Sequence, residues 1–197
     1  EGRQWSSLLD RMYVRLSKLF ALDPDHNIFR GKGLIFVFNE PLDYHRFQRE
    51  MHGTPSMGSA GMCHSYGNGM VHIAFYKQPD ENRFAHVLVH ESVHGFLHRY
   101  RSPERIDSWI NEGLAETIAH ELVPRGKAAT ARQTWVWRRR MALWNVQQGH
   151  RHLQSTFFTA GHISGWEYSL AHELTAFMIQ QNRKGFAQFI NGIKDGE

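Results

Sequence analysis

One cysteine, Cys63, is all the sequence holds, so no internal disulfide framework is open to it. That fits a cytosolic protein, although bacterial secreted enzymes often lack disulfides too. No apolar run approaches the roughly 20 residues that a membrane-spanning helix needs, which excludes that class. No internal repeat, low-complexity tract or linker-like stretch divides the chain, so solenoids and beaded arrays are excluded as well. Charge of one sign is in only mild excess. Lys plus Arg number 23 against 19 for Asp plus Glu, a balance that permits acidic partners without arguing for them. No signal peptide opens the chain, and it starts at Glu1 without a methionine, which reads as a mature form or an excised domain. An extracytoplasmic location follows if a signal was removed, a cytoplasmic one otherwise.

What is abundant is histidine, with 14 residues, several of them clustered. Hydrophobic content of 41% and charged content of 21% are ordinary for a soluble globular protein. A length of 197 residues suits one domain with a real core, here a helix/strand part over 1–80, a helical part over 81–197 and a cleft between them.

Trp5, Leu8, Leu9, Met12, Leu16, Leu19 and Phe20 recur near helical spacing and predict a first helix. The apolar run Leu34 to Phe38 between Gly33 and Asn39 predicts a buried strand. Pro41 opens a helix to Met51. The glycine-rich stretch from His52 to Gly69 reads as a long loop. Met70 to Tyr76 alternates and is rich in strand formers. Helices follow over 82–99, 109–122 (capped by Asp107 or Ser108), 130–148, 166–181 and 185–193, with a loop over 149–165. Strands early and helices late predict an α+β fold, a small N-terminal sheet with an active-site helix followed by a mainly helical C-terminal part.

The central signal is His90-Glu91-Ser92-Val93-His94. On a helix, residues four apart lie on one face, so the two imidazoles can converge on one ion. Glu91 sits about 100° round the helix, within reach of a water on that ion. A zinc there lowers the pKa of the water towards roughly 7, and a carboxylate can take its proton. Two histidines leave a catalytic zinc one protein ligand short. The next predicted helix offers Glu112, in Trp109-Ile110-Asn111-Glu112-Gly113-Leu114-Ala115-Glu116.

Over about Met70 to Leu122 the chain resembles the gluzincin metallopeptidases, which carry H-E-x-x-H and a downstream N-E-G-x-A-E-like segment. It is nearer their aminopeptidase branch than the thermolysin-like one. It is closer still to a family of bacterial peptidase-MA-like domains. The resemblance implies a zincin-like fold, Zn2+ as cofactor, a peptide or protein substrate, and peptide-bond hydrolysis. It makes His90, His94 and Glu112 the metal ligands and Glu91 the general base. Glu116, one turn after Glu112, becomes the acid that hydrogen-bonds a ligand histidine and fixes its tautomer. For the oxyanion it implies Tyr168, at a helix start, or His162. The edge strand that binds extended substrate in gluzincins falls at Met70 to Tyr76, which reads equally as an ordinary core strand. Gly58 to Met62 stands where the aminopeptidases bind a free amine but lacks their acidic residue, which argues against exopeptidase activity. A rival reading is a peptide- or protein-binding module on a metallopeptidase scaffold that has lost turnover.

His86 and His98 continue the four-residue ladder but drift about 40° per step, so all four histidines cannot face one ion. They read as a second metal or substrate contact, or as solvated and capping residues. Arg138 to Arg140 lie between tryptophans. Three adjacent charges point three ways on a helix, so a solvated face is expected and no nucleic-acid partner. Trp135, Met141 and Trp144 are expected to pack on the core, and His172 and Glu173 to sit on a helix face.

Overall fold

The computed structural model describes residues 2–23, 26–29, 33–53, 56–68, 70–123, 129–149, 163 and 165–196, with the backbone alone over 129–135. Among these residues the fold is α+β, with seven helices and one three-stranded sheet. Two compact units divide the chain, Glu1–Pro103 and Glu104–Glu197.

The first unit holds α1 (Gly2–Phe20), β1 (Leu34–Phe38), α2 (Pro41–His52), β2 (Gly61–Ser65), β3 (Val71–Tyr76) and α3 (Glu81–Arg99). The strand order is β1-β3-β2, with β1 parallel and β2 antiparallel to β3. One open reading is decided here and one expectation is overturned. The strand at Val71–Tyr76 is central rather than an edge, so its backbone groups are taken on both sides. The apolar strand Leu34–Phe38 is an edge, and Leu34, Ile35 and Val37 are 43%, 39% and 47% exposed. Composition marks a strand, but neighbours decide its burial. The stretch read as one long loop contains β2. Its Gly-Met-Cys-His-Ser has weak strand propensity, and pairing with β3 supplies what propensity lacks.

Helices cover both faces of this sheet. Under one face lies α2, whose Phe47 meets Phe36 and Phe38 with ring centroids 4.8 and 5.1 Å apart. On the other lie α3 and α1. The buried stripe of α1 is Leu8, Met12, Leu16, Leu19 and Phe20, at the expected spacing. It meets α3 through Trp5 on Phe84 and Tyr13 on Phe96. Asp80 caps α3 by accepting a hydrogen bond from Asn82 N–H at 2.9 Å. Gly95 lets α3 approach the sheet closely, since a Cβ there would sit 3.0 Å from Val71 Cγ1.

The second unit contains α4 (Ser108–Leu122), α5 (Ala129–Gln147), α6 (Glu167–Gln181) and α7 (Arg183–Asp195). Asp107 is the N-cap of α4, but through its carbonyl, which accepts from Ile110 and Asn111 N–H, and not through its side chain. Much of α4 is buried: Trp109, Ile110 and the run Gly113 to Ala119. It packs on α6 at Gly113, where a Cβ would lie 2.5 Å from the Ala171 carbonyl oxygen and against Thr175 Oγ1. Asn182 caps α7 by accepting from Gly185 N–H at 2.8 Å. Trp144 is 49% exposed, so it does not pack into a core as expected. Trp135 lies among the side chains outside the description.

Candidate metal and catalytic site

In the first unit, α3 presents His86, His90 and His94 down one half-buried strip. The rings of His90 and His94 lie 4.8 Å apart, nearly perpendicular at 86°. That is the convergence expected of residues one turn apart. His86 stands one turn earlier, its ring 6.2 Å from His90. In the second unit, α4 carries Glu112, half-buried, and Glu116, buried with 9% exposure. On α3, His86, His90 and His94 offer ring nitrogens of the kind that hold a metal ion, and on α4 Glu112 and Glu116 offer carboxylates. The donors fit a catalytic zinc, which takes imidazole and carboxylate and needs no thiolate.

Glu91 is half-buried beside the start of β2. A Cβ at Gly61 would come within 3.2 Å of Glu91 Cγ and 2.7 Å of Val87 Cγ1. Gly61 thus leaves room for the carboxylate beside the outer edge of the sheet. Sequence reasoning missed this role, because one glycine in a glycine-rich stretch of weak strand propensity gives no signal of it. The field of Glu91 reaches two neighbours. Burial raises the pKa of Cys63, and Glu91 raises it further, so the thiol stays protonated and is no nucleophile. Burial also raises Tyr44, against lowering by hydrogen bonds from Ser59 and Gln48, with Glu91 adding a smaller rise.

The segment before β2 is fastened to α2. Tyr44 Oη lies 2.7 Å from Ser59 Oγ, and His45 Nδ1 lies 2.8 Å from Ser56 Oγ. Ser59 Oγ in turn donates to the Ser56 carbonyl at 2.9 Å. These bonds hold Ser56 and Ser59, at the start of the Gly58 to Met62 stretch where a glycine-rich substrate loop was expected. Neither Tyr44 nor His45 was legible as a site residue, because each acts through a partner distant in sequence.

Further down β2 the sheet carries a histidine cluster. His52, at the end of α2, stacks on His64 of β2 with centroids 3.7 Å apart and planes 10° apart. Tyr66 Oη reaches His52 Nδ1 at 2.8 Å and His72 Nδ1 at 3.4 Å. His64 Nε2 lies 2.6 Å from Oε1 of the fully buried Gln48. Burial, then the neighbouring His52 and His72, pushes the His64 pKa down to about 4. Burial and His72 lower His52 in the same way.

In the second unit, Glu116 Oε2 lies 3.3 Å from Nε2 of His120, one turn on. The His120 ring meets that of His172 at 5.1 Å, His172 Nδ1 lies 3.7 Å from Glu173, and Glu173 pairs with Arg139 at 3.3 Å. His172 and Glu173, read from sequence as plain helix-face residues, thus continue a polar string from Glu116. Arg139 pairs with a carboxylate and the flanking Arg138 and Arg140 are exposed, as a solvated face would be. Tyr168 is half-buried in the first turn of α6. His162 lies outside the described residues. Among the described residues no helix is long and apolar enough to cross a membrane.

Searches of family models, of curated proteins and of solved structures each found nothing that matches this chain.

Proposed function

We propose that the chain is a zinc-dependent hydrolase, a peptidase of gluzincin type on a zincin-like fold, akin to the bacterial peptidase-MA-like domains. The observation that carries the reading is the pair His90 and His94, converging on one half-buried face of α3, with Glu91 between them at the edge of the sheet. His90, His94 and Glu112 would hold the zinc. When bound, the ion supplies an electrophile for the scissile carbonyl and a lowered pKa for the attacking water.

The chain's own residues supply the rest. Glu91 accepts a proton from the attacking water and passes it to the leaving amine nitrogen. Glu116 fixes the orientation of a ligand imidazole. Tyr168 donates a hydrogen bond to the oxyanion, with His162 as the other candidate. The substrate strand belongs to β2 rather than β3, because β2 is the edge beside Glu91 and an extended peptide can add to it through backbone hydrogen bonds. Gly58 to Met62 contains no acidic residue to grip a free amine, which supports cleavage within a peptide or protein.

A mixed peptide library digested by the zinc-loaded protein, read by mass spectrometry beside Glu91→Gln, tests this. Cleavage by the wild type alone is expected, with loss of about 10²–10⁴-fold in the variant. Equal cleavage, or none, with zinc quantified in both proteins, overturns the peptidase reading. Zinc affinity tests the ligand set separately: Glu112→Gln is expected to weaken it while leaving the pairing of the strands intact.

A further inference from the structure

Behind the zinc-binding face of α3, the first unit holds a cavity of about 410 Å³ that none of the chemistry above uses. Its walls are apolar side chains from α1, the sheet and the segment between them: Leu9, Met12, Phe29, Ile35, Val71 and Ile73. Ile35 and Ile73 face each other in the register of β1 and β3, so the floor is one continuous patch of the sheet. A space of this size is in the range of sites for small organic ligands.

Two polar features distinguish it from a packing defect. Ser92 lines the cavity, is only 5% exposed, and its Oγ has no hydrogen-bond partner. Buried hydroxyls are almost always satisfied, so this one wants a partner from the cavity. Ser92 lies about 200° round the helix from His90, so it faces away from the metal ligands although it stands inside the same motif. The second feature is charge. Asp10 is the sole charged residue of the lining and sits exposed on α1. A carboxylate ligand would be repelled there. The remaining polar groups are already oriented: Tyr13 Oη donates to the His26 carbonyl and accepts from Ile28 N–H, and Asn27 Oδ1 accepts from Phe29 N–H.

We infer that this cavity binds a small, uncharged, largely apolar molecule carrying one hydrogen-bonding group, which pairs with Ser92 Oγ. The site is independent of the peptidase reading and persists if that reading fails. Its occupant touches the far side of the helix that bears His90, Glu91 and His94.

The test uses 1-aminoanthracene, a neutral fluorescent probe with one polar group, titrated into the full chain with zinc and again after a chelator. Saturable one-to-one binding in both conditions is expected. Ser92→Ala should weaken it about tenfold, the worth of one buried hydrogen bond. Ile73→Trp should abolish binding by filling the space. Because Ile73 is on the central strand, Ile35→Trp on the exposed edge serves as the second blocking variant, with circular dichroism confirming the fold. Absence of saturable binding overturns the inference. Equal affinity in a folded Ile35→Trp protein does so too, since it would place the probe on exposed apolar surface instead.

Discussion

The two units bring helices close to their supports by the same device and tolerate error differently. In the first, Gly61 and Gly95 face side-chain atoms, Val87 Cγ1 with Phe75 Cβ, and Val71 Cγ1. In the second, Gly113 faces backbone, the Ala171 carbonyl, with Thr175 beside it. A side chain can rotate away, whereas a carbonyl within a helix cannot without breaking its hydrogen bond. The polar interiors differ as well. The first unit holds half-buried imidazoles, which are easy to keep neutral, whereas the second buries two carboxylates, Glu116 and Glu167, and an ammonium, Lys194. Tight backbone contact makes the second unit the steric weak point, and its half-buried histidine cluster makes the first the pH-sensitive one.

The sharpest break in that comparison is Gly113→Val. Overpacking against backbone should cost about 3 kcal/mol or more of second-unit stability, measured by urea unfolding. Gly61→Ala should cost about 1 kcal/mol, because its contacts are side-chain atoms, while displacing Glu91 and so lowering the hydrolysis proposed above. If the two substitutions prove equally destabilising, the contrast between backbone and side-chain contact is wrong.

Acid should separate the units next. His64 has its pKa depressed from an ordinary 6.5 to about 4, and His52 is depressed too, so between those values the unfolded chain binds more protons than the folded one. Stability of the first unit is then complete above about pH 6.5 and falls as pH drops through the window towards about 4. His64→Gln should flatten that slope in a plot of Tm against pH. An unchanged slope would remove the cluster as its cause. The smallest effect belongs to Lys194, whose Nζ donates to the Glu104 carbonyl at 2.6 Å. Burial lowers its pKa from 10.5 to about 8, with Glu104 opposing. The same linkage makes second-unit stability rise between about pH 8 and 10.5. Lys194→Met should abolish that rise and change stability at pH 7 by less than about 1 kcal/mol, since the lost hydrogen bond offsets the relieved desolvation.

Much of the fold was legible because it is local. The apolar stripe of α1, the bounds of β1 and the proline at the start of α2 all act within a few residues. The same is true of the pairing of His90 with His94, since helical geometry alone brings residues four apart together. The placement of Glu91 beside Gly61, by contrast, joins residues thirty positions apart, and no periodicity announces it.

By itself, then, the sequence determined which segments are helical, that the class is α+β, and that α3 displays two imidazoles and a carboxylate at metal-binding spacing. Only the tertiary structure decided that β3 is central and β1 an edge, that Gly61–Ser65 becomes a strand, that His52 and His72 meet at Tyr66 with His64 stacked on His52, and that a cavity opens behind Ser92. The reason is physical. Helical turns and capping are set by interactions a few residues apart, whereas strand order, burial and empty space are set by which distant surfaces meet.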